Sequence, residues 1–521
     1  MRRLLIVSNR LPLTFRNSDD QGGQTDMSAG GLATALRAVA RHRPVRWIGW
    51  AGADYEPASR DIVASSVALD CEIVPVFLSE ADRRDFYCGF CNEIIWPLFH
   101  GLQPTSPVES AYWRRYLDVN ARYFEAICKE AAPDDFIWVH DYHLMLQGKL
   151  LNAQLKHDQL AYFHHIPFPS PDVYAKLPWK LEILDSLLHF GTIGLQTAQD
   201  CRNFLACVRI YFPEAQIRST ASETLIFRGT NTIAVRHCPI GIDFDEFADL
   251  AAQSEVIAEA ERIRRDTNVR RLVLGLDRLD YTKGIPERLE AFRDLLTSYP
   301  GLRQEIALIQ VVIPSREQIP RYQQLKTEVE RLIRSINEQF GTPSWIPIHY
   351  HYGHLSRERL VAHYRAADVA LVTPVKDGMN LVAKEFCASR LDNTGILILS
   401  KFAGAAAQLR TGAFLVNPQD TPSVVSALYA AFDPDDGDVR RRMHRMRRDV
   451  KVNDIYRWCN EMLEGSPGVE RKATLTRYAA TVRTFGSWKV HGPLATAATS
   501  GEPPEGPCEG NASSFVRGST E

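Results

Sequence analysis

Short apolar runs alternate with longer amphipathic stretches along most of the chain. Leu4–Ser8, Phe136–His140, Leu160–His165, Leu272–Leu276, Ile306–Ile313, Val369–Thr373 and Ile396–Ser400 are almost continuously apolar, the pattern of strands covered on both faces. Between them, Leu32–Ala40, Ala111–Lys129, Pro286–Leu296, Arg321–Asn337 and Arg357–Ala366 carry apolar residues at helical spacing. Strands alternating with helices predict parallel α/β sheets. Two such series occur, one before about residue 240 and one after it, joined through the polar stretch Asp243–Arg265. The expected architecture is therefore two Rossmann-like α/β domains with a cleft between them, where ligands lie beyond the carboxyl ends of the strands. From about His491 the chain turns rich in Gly, Pro, Ser, Thr and Ala, which predicts a disordered tail over 490–521.

Candidate chemistry gathers at strand ends. Asp377-Gly378-Met379-Asn380-Leu381-Val382-Ala383-Lys384-Glu385 follows one apolar strand and opens a helix-like stretch. A helix start presents unpaired N–H groups and the positive end of the macrodipole, a seat for a diphosphate. Gly378 lets backbone approach a ligand, and Asp377 and Glu385 can accept hydrogen bonds from sugar and ribose hydroxyls. A capped helix with solvated carboxylates fits the same residues. Arg278-Leu279-Asp280-Tyr281-Thr282-Lys283-Gly284 follows another strand, and Arg278 and Lys283 there suit a departing diphosphate or an ordinary basic surface.

In the first half, Arg10 ends a strand and suits a phosphate or a structural ion pair. Gly30 and Gly31 in Ser28-Ala29-Gly30-Gly31-Leu32 permit close approach to a ligand or form a simple turn. His140-Asp141-Tyr142-His143 lacks a third partner for a metal, so no metal is expected there. The prolines of His165-Ile166-Pro167-Phe168-Pro169 force a turn that can aim His165 into the cleft; a buried histidine satisfied by backbone is the alternative. Cys88-Gly89-Phe90-Cys91 has no second pair to complete a zinc site and reads as packing cysteines.

Charge narrows the partners. The 61 basic and 63 acidic side chains leave a formal net charge of -2, which gives nucleic acid or an anionic membrane no support. No apolar run approaches the ~20 residues of a membrane span. The ten cysteines are scattered, which favours a reducing, cytoplasmic setting.

Taken in order, these segments resemble the trehalose-6-phosphate synthase family of retaining glycosyltransferases with the GT-B fold, from about Arg3 to Leu463. The resemblance rests on Ser8-Asn9-Arg10, Ser28–Leu32, Trp96-Pro97, His140–His143, His165–Pro169, Arg278–Tyr281 and Asp377–Val382. It implies transfer of glucose from a nucleotide sugar, UDP-glucose by family default, to glucose 6-phosphate. No cofactor is implied, and a role in trehalose biosynthesis and osmoprotection follows. It further implies that Arg10, Tyr87 and Arg316 grip the acceptor phosphate, with Asp141 on its sugar and Trp96 shaping the pocket. Gly30, Arg278, Lys283, Asp377, the backbone from Gly378 through Met379, Asn380, Leu381 and Val382, and Glu385 would hold the donor, with His165 near the reacting centre. His165, Arg278, Lys283 and Asp377 are then the catalytic set. The implied domains are 1–240 for the acceptor, 241–448 for the nucleotide sugar, and terminal helices 449–489 crossing back. A related glucosylglycerol-phosphate synthase, which uses glycerol 3-phosphate, shares the paired His164-His165, and a noncatalytic sugar-phosphate sensor on the same scaffold is the other alternative. Oligomeric state is left open, a homo-oligomer included. Ala215–Asn231 is left unmatched to the family pattern.

Overall fold

The computed structural model describes residues 3–16, 24–27, 36–37, 43–52, 62, 65–66, 69, 71–104, 109–154, 159–220 and 223–463, all within the compact unit Met1–Ser466. The Ser28–Leu32 segment with Gly30, most of the expected helix Leu32–Ala40, the chain from residue 464 and the tail 490–521 lie outside the described residues.

The strands are, in chain order, β1 (Leu4–Arg10), β2 (Leu13–Arg16), β3 (Gln24–Met27), β4 (Val45–Trp50), β5 (Glu72–Val76), β6 (Phe136–His140), β7 (Leu160–His164), β8 (Thr192–Leu195), β9 (Gln216–Ser219), β10 (Thr224–Arg228), β11 (Asn231–His237), β12 (Arg271–Arg278), β13 (Ile306–Ile313), β14 (Ile348–Tyr352), β15 (Val369–Val372), β16 (Ile396–Ser400) and β17 (Phe414–Val416). They form a nine-stranded sheet ordered β5-β4-β1-β6-β7-β8-β11-β10-β9, a six-stranded sheet ordered β14-β13-β12-β15-β16-β17, and the small hairpin β2-β3.

The second sheet is parallel throughout. The first departs from the all-parallel expectation at one edge, where β10 runs antiparallel to both β9 and β11. β9 and β10 lie within Ala215–Asn231, the stretch left unmatched above. The two-residue connection of β10 to β11 through Gly229, at φ 57°, is a hairpin turn that a parallel crossover cannot use.

The parallel part of each sheet reverses direction once. The first runs outward from β1 through β4 to β5, then restarts with β6 on the other side of β1; the second runs from β12 to β14, then restarts with β15 beside β12. Each restart opens a crevice at the carboxyl ends of the two flanking strands. Arg10 and His140 end the flanking strands of the first crevice, and Arg278 ends one flank of the second.

The chain passes between the sheets at Ile240-Gly241-Ile242 and returns at Asn453-Asp454. The two passes touch. The N–H of Ile455 donates to the carbonyl of Ile242 at 3.0 Å, and any side chain at Gly241 would collide with the Asp454 carbonyl. The helix Ile455–Leu463 then packs on the first sheet, with Trp458 lying 4.6 Å from Trp138 and 4.9 Å from Phe163, centroid to centroid. Trp458 is buried, and truncating a tryptophan so placed costs about 3–5 kcal/mol.

Candidate active site

The end of β1 is pinned from two sides. Ser8 Oγ accepts from Trp47 Nε1 at 2.8 Å and donates to the Arg10 carbonyl at 2.7 Å, while the Tyr123 hydroxyl donates to the Asn9 carbonyl at 2.8 Å. Arg10 itself stays exposed, with its guanidinium 4.5 Å from the centre of Trp50 and 5.5 Å from that of Tyr87. Tyr87 rides on a π-helix, Arg83–Ile95, a winding often associated with functional sites, and stacks on His143 at 5.9 Å. Burial pushes its phenol up, but the charges of Arg10, Arg316 and Arg278 outweigh burial and hold it below the ordinary tyrosine range. The positive charge acting on this phenol thus comes from both halves of the chain.

Arg316 spans the cleft from the loop after β13. Its backbone sits at φ 50°, a conformation uncommon for a non-glycine residue. Its Nη1 donates to the Tyr322 hydroxyl at 2.6 Å and to Asp280 Oδ2 at 3.3 Å, and its Nη2 to the Tyr142 hydroxyl of the first half at 3.3 Å. The guanidinium lies 4.1 Å over Trp96. Its Nε and the Trp96 Nε1 are buried without partners among the described residues. Asp141, at φ 72° just beyond β6, accepts the His165 N–H at 3.2 Å. Enclosure raises its carboxyl to about 7 despite the pull of backbone hydrogen bonds and of Arg316 and Arg278.

In the second half, Arg278 is the exposed last residue of β12. Asp280 then caps the turn Tyr281–Lys283 by accepting the Thr282 N–H at 3.0 Å. Lys283 is buried and its Nζ lies 2.6 Å from Asp377 Oδ2. Asp377 also accepts the Met379 N–H at 3.1 Å and Asn380 Nδ2 at 3.3 Å. Asn380, at φ 73°, caps the helix Leu381–Ser389 by accepting the Ala383 N–H, which leaves the Leu381 and Val382 N–H groups at its mouth. Gly378 faces the first half directly: a β-carbon there would stand 2.6 Å from the His165 carbonyl oxygen. Glu385, one turn into the helix, accepts from the Tyr364 hydroxyl at 2.7 Å, and burial raises its carboxyl. Beneath the loop, buried Arg288 pairs with Asp277 at 2.6 Å and donates to Thr373 at 3.0 Å.

Gly30 lies outside the described residues; the contacts above link most of the other expected residues, with differences in detail. Lys283 and Asp377, expected to face ligands, face each other. The His165 ring, expected to meet the donor sugar, lies 3.1 Å from His140 and 3.3 Å from Gln196 through its two nitrogens; its carbonyl meets Gly378 instead. Cys91 is buried in the aromatic core and Cys88 half-buried beside it, as packing cysteines should be. Tyr322 and Gln196 escaped notice in the sequence, and Asp280 and Tyr142 stood there only as motif members without a role. Tyr322 meets Arg316 six residues away, but the partners that place Tyr142 and Gln196 are remote along the chain, so no local pattern marks them.

The sequence profile of Glycosyltransferase family 20 matches residues 2–465. A trehalose-6-phosphate synthase from Mycobacterium sp. (strain JLS) is 38% identical over 467 residues, covering 88% of this chain and 95% of that one. Its counterpart from Mycobacterium tuberculosis (strain ATCC 25618 / H37Rv) is 37% identical over 472 residues, covering 89% and 94%. Among solved structures, an alpha,alpha-trehalose-phosphate synthase (UDP-forming) from Burkholderia xenovorans in complex with glucose-6-phosphate superposes with a TM-score of 0.79 at 31% identity, covering 89% of this chain and 99% of that one. The E. coli trehalose-6-phosphate structure bound with UDP-2-fluoro glucose gives 0.76 at 29% identity, covering 93% and 99%. The chain belongs to Glycosyltransferase family 20, and its two facing sheets are the GT-B architecture.

Proposed function

We propose that this protein transfers glucose from UDP-glucose to glucose 6-phosphate with retention, forming α,α-trehalose 6-phosphate and UDP. The observation that carries this reading is that Arg10, 5.5 Å from the centre of Tyr87, and Arg316, which reaches Tyr142 and lies over Trp96, gather on the first half where the Gly378 loop abuts it. A phosphorylated acceptor and a diphosphate donor both need such positive charge, and the two must lie side by side.

Arg10, Tyr87 and Arg316 grip the acceptor phosphate, with Trp96 as the wall and Asp141 on the sugar hydroxyls. Arg278 and Lys283 take the donor diphosphate together with the N–H groups from Gly378 to Val382. Asp377 holds the donor glucose, His165 lies against it, Gly30 meets the donor and Glu385 binds the ribose. The acceptor hydroxyl attacks from the face that the diphosphate leaves. The protein contributes alignment of two substrates and neutralisation of the departing charge. Residues 1–240 act as the acceptor domain and 241–448 as the donor domain, with the segment from 449 returning to the first. The nine described cysteines are all free thiols, which supports a reducing compartment such as the cytoplasm. No helix among the described residues is long and apolar enough to cross a membrane.

The test is a matrix of nucleotide glucoses against glucose 6-phosphate and glycerol 3-phosphate, read by nucleotide diphosphate release. UDP-glucose with glucose 6-phosphate should turn over fastest. A wide preference for glycerol 3-phosphate overturns the acceptor, and ligand-induced thermal stabilisation without turnover marks a sensor.

A further inference from the structure

A buried chain of hydrogen bonds joins His165 to the donor helix through the crossover between the sheets. Gln196, at the end of β8, is buried. Its Oε1 accepts the Ile240 N–H at 3.0 Å and its Nε2 lies 3.3 Å from His165 Nδ1. A peptide N–H can only donate, so the amide of Gln196 must turn its NH2 toward His165. His165 Nδ1 is then an acceptor, and its proton resides on Nε2, 3.1 Å from His140 Nδ1. Burial drives both rings far toward the neutral form, His140 to about 3.

The carbonyl of Ile240 is held as well. It accepts from Lys384 Nζ at 2.6 Å. Lys384 is itself buried and precedes Glu385 on the helix that begins just past Gly378. Because Gly378 abuts the His165 carbonyl, the contacts form a closed circuit: His165, Gln196, Ile240, Lys384, the donor helix, and back to His165.

We infer that Gln196 and Lys384 are positioning residues for glucosyl transfer: by holding the N–H and the carbonyl of Ile240 they lock the His165 ring and the Gly378 loop in one register. This rests on the activity proposed above. Neither side chain is needed to touch substrate.

Gln196→Glu keeps the shape and still accepts from Ile240, but as a carboxylate, at a pH above its titration, offers no donor to His165. Heteronuclear NMR of the full-length chain with isotope-labelled histidine, with His165 assigned from the His165→Gln spectrum, reads the result without turnover. The wild-type ring should carry its proton on Nε2, and Gln196→Glu should move it to Nδ1. A wild-type ring protonated on Nδ1, or no change in the variant, overturns the inference. In the transfer assay Gln196→Glu should lower kcat about tenfold with the acceptor KM within about twofold, and an unchanged kcat overturns it. Lys384→Met should act in the same direction. Combining the two should cost no more than the larger single loss, because both act through one residue, whereas losses that multiply overturn that shared route. Should Lys384→Met not fold, Gln196→Glu alone decides. Wild-type protein without transfer for any donor and acceptor refutes the activity, and the position of the His165 proton still decides the inference.

Discussion

Lys283 Nζ and Asp377 Oδ2 stand 2.6 Å apart in a buried ion pair, at the point where the donor loop meets the first half of the molecule. Burial opposes the Asp377 carboxylate, yet Lys283 and the Met379 N–H hold it below the usual range. Lys283 thus keeps the Asp377 carboxylate charged. An arriving diphosphate would compete for the ammonium, and sugar hydroxyls would take its place on the carboxylate.

Removing the cation alone should hurt twice. Lys283→Met leaves a buried carboxylate without its partner, a loss of about 3 kcal/mol in urea unfolding, and should lower kcat/KM at least about a hundredfold. Lys283→Met/Asp377→Asn should regain most of the stability and stay inactive. Recovery of activity in the double variant would show that the ammonium serves only Asp377.

Gly378 offers a cleaner separation of binding from folding. The β-carbon of Gly378→Ala would stand 2.6 Å from the His165 carbonyl oxygen and 2.9 Å from the Ile166 carbonyl carbon, and neither backbone group can rotate aside. The loop must shift. We expect kcat/KM for the donor to drop about a hundredfold or more, with Tm lower by less than about 4 °C. Wild-type kinetics would mean that the donor does not meet this loop.

Asp141 should make stability depend on pH. Its carboxyl is raised to about 7, against roughly 3.9 in the unfolded chain. Between these values the folded form holds a proton that the unfolded form lacks. The stability this contributes is complete below about 4 and is lost as pH rises through 7. Asp141→Asn escapes the loss, so from pH 4.5 to pH 8 it should gain on the wild type by about 3 kcal/mol. Denaturant unfolding at the two pH values measures this; a difference that does not vary with pH counts against it.

The Arg288–Asp277 pair under the donor loop is inaccessible to solvent. Arg288→Met should cost about 3–5 kcal/mol, because Asp277 is left charged and alone. Adding Asp277→Leu should return most of that loss in equilibrium unfolding. A single variant as stable as wild type would show that the pair contributes no net stability.

Much of this was legible before any coordinates. Ile306–Ile313, Ile396–Ser400 and Phe136–His140 read as strands because burial on both faces demands continuous apolar residues, and they occur with those bounds. The helix Arg357–Ala366 likewise keeps its predicted bounds, since Ser356 caps it and its apolar stripe has helical period. The edge strands β9 and β10 were not legible. They are short and half-exposed, with the alternating pattern broken by polar residues, so neither period stands out.

What the sequence determined by itself was local: which stretches bury both faces, where strands end, and which charged residues stand at those ends, Arg10, Arg278 and Asp377 among them. Only the tertiary structure decided their partners. Arg316 meets Tyr142, Lys283 meets Asp377, and Gln196 meets His165 and Ile240 across separations of 174, 94, 31 and 44 residues. Periodicity reports burial over a few neighbouring turns, whereas these pairings follow from strand order and from the packing of two sheets about one crossover.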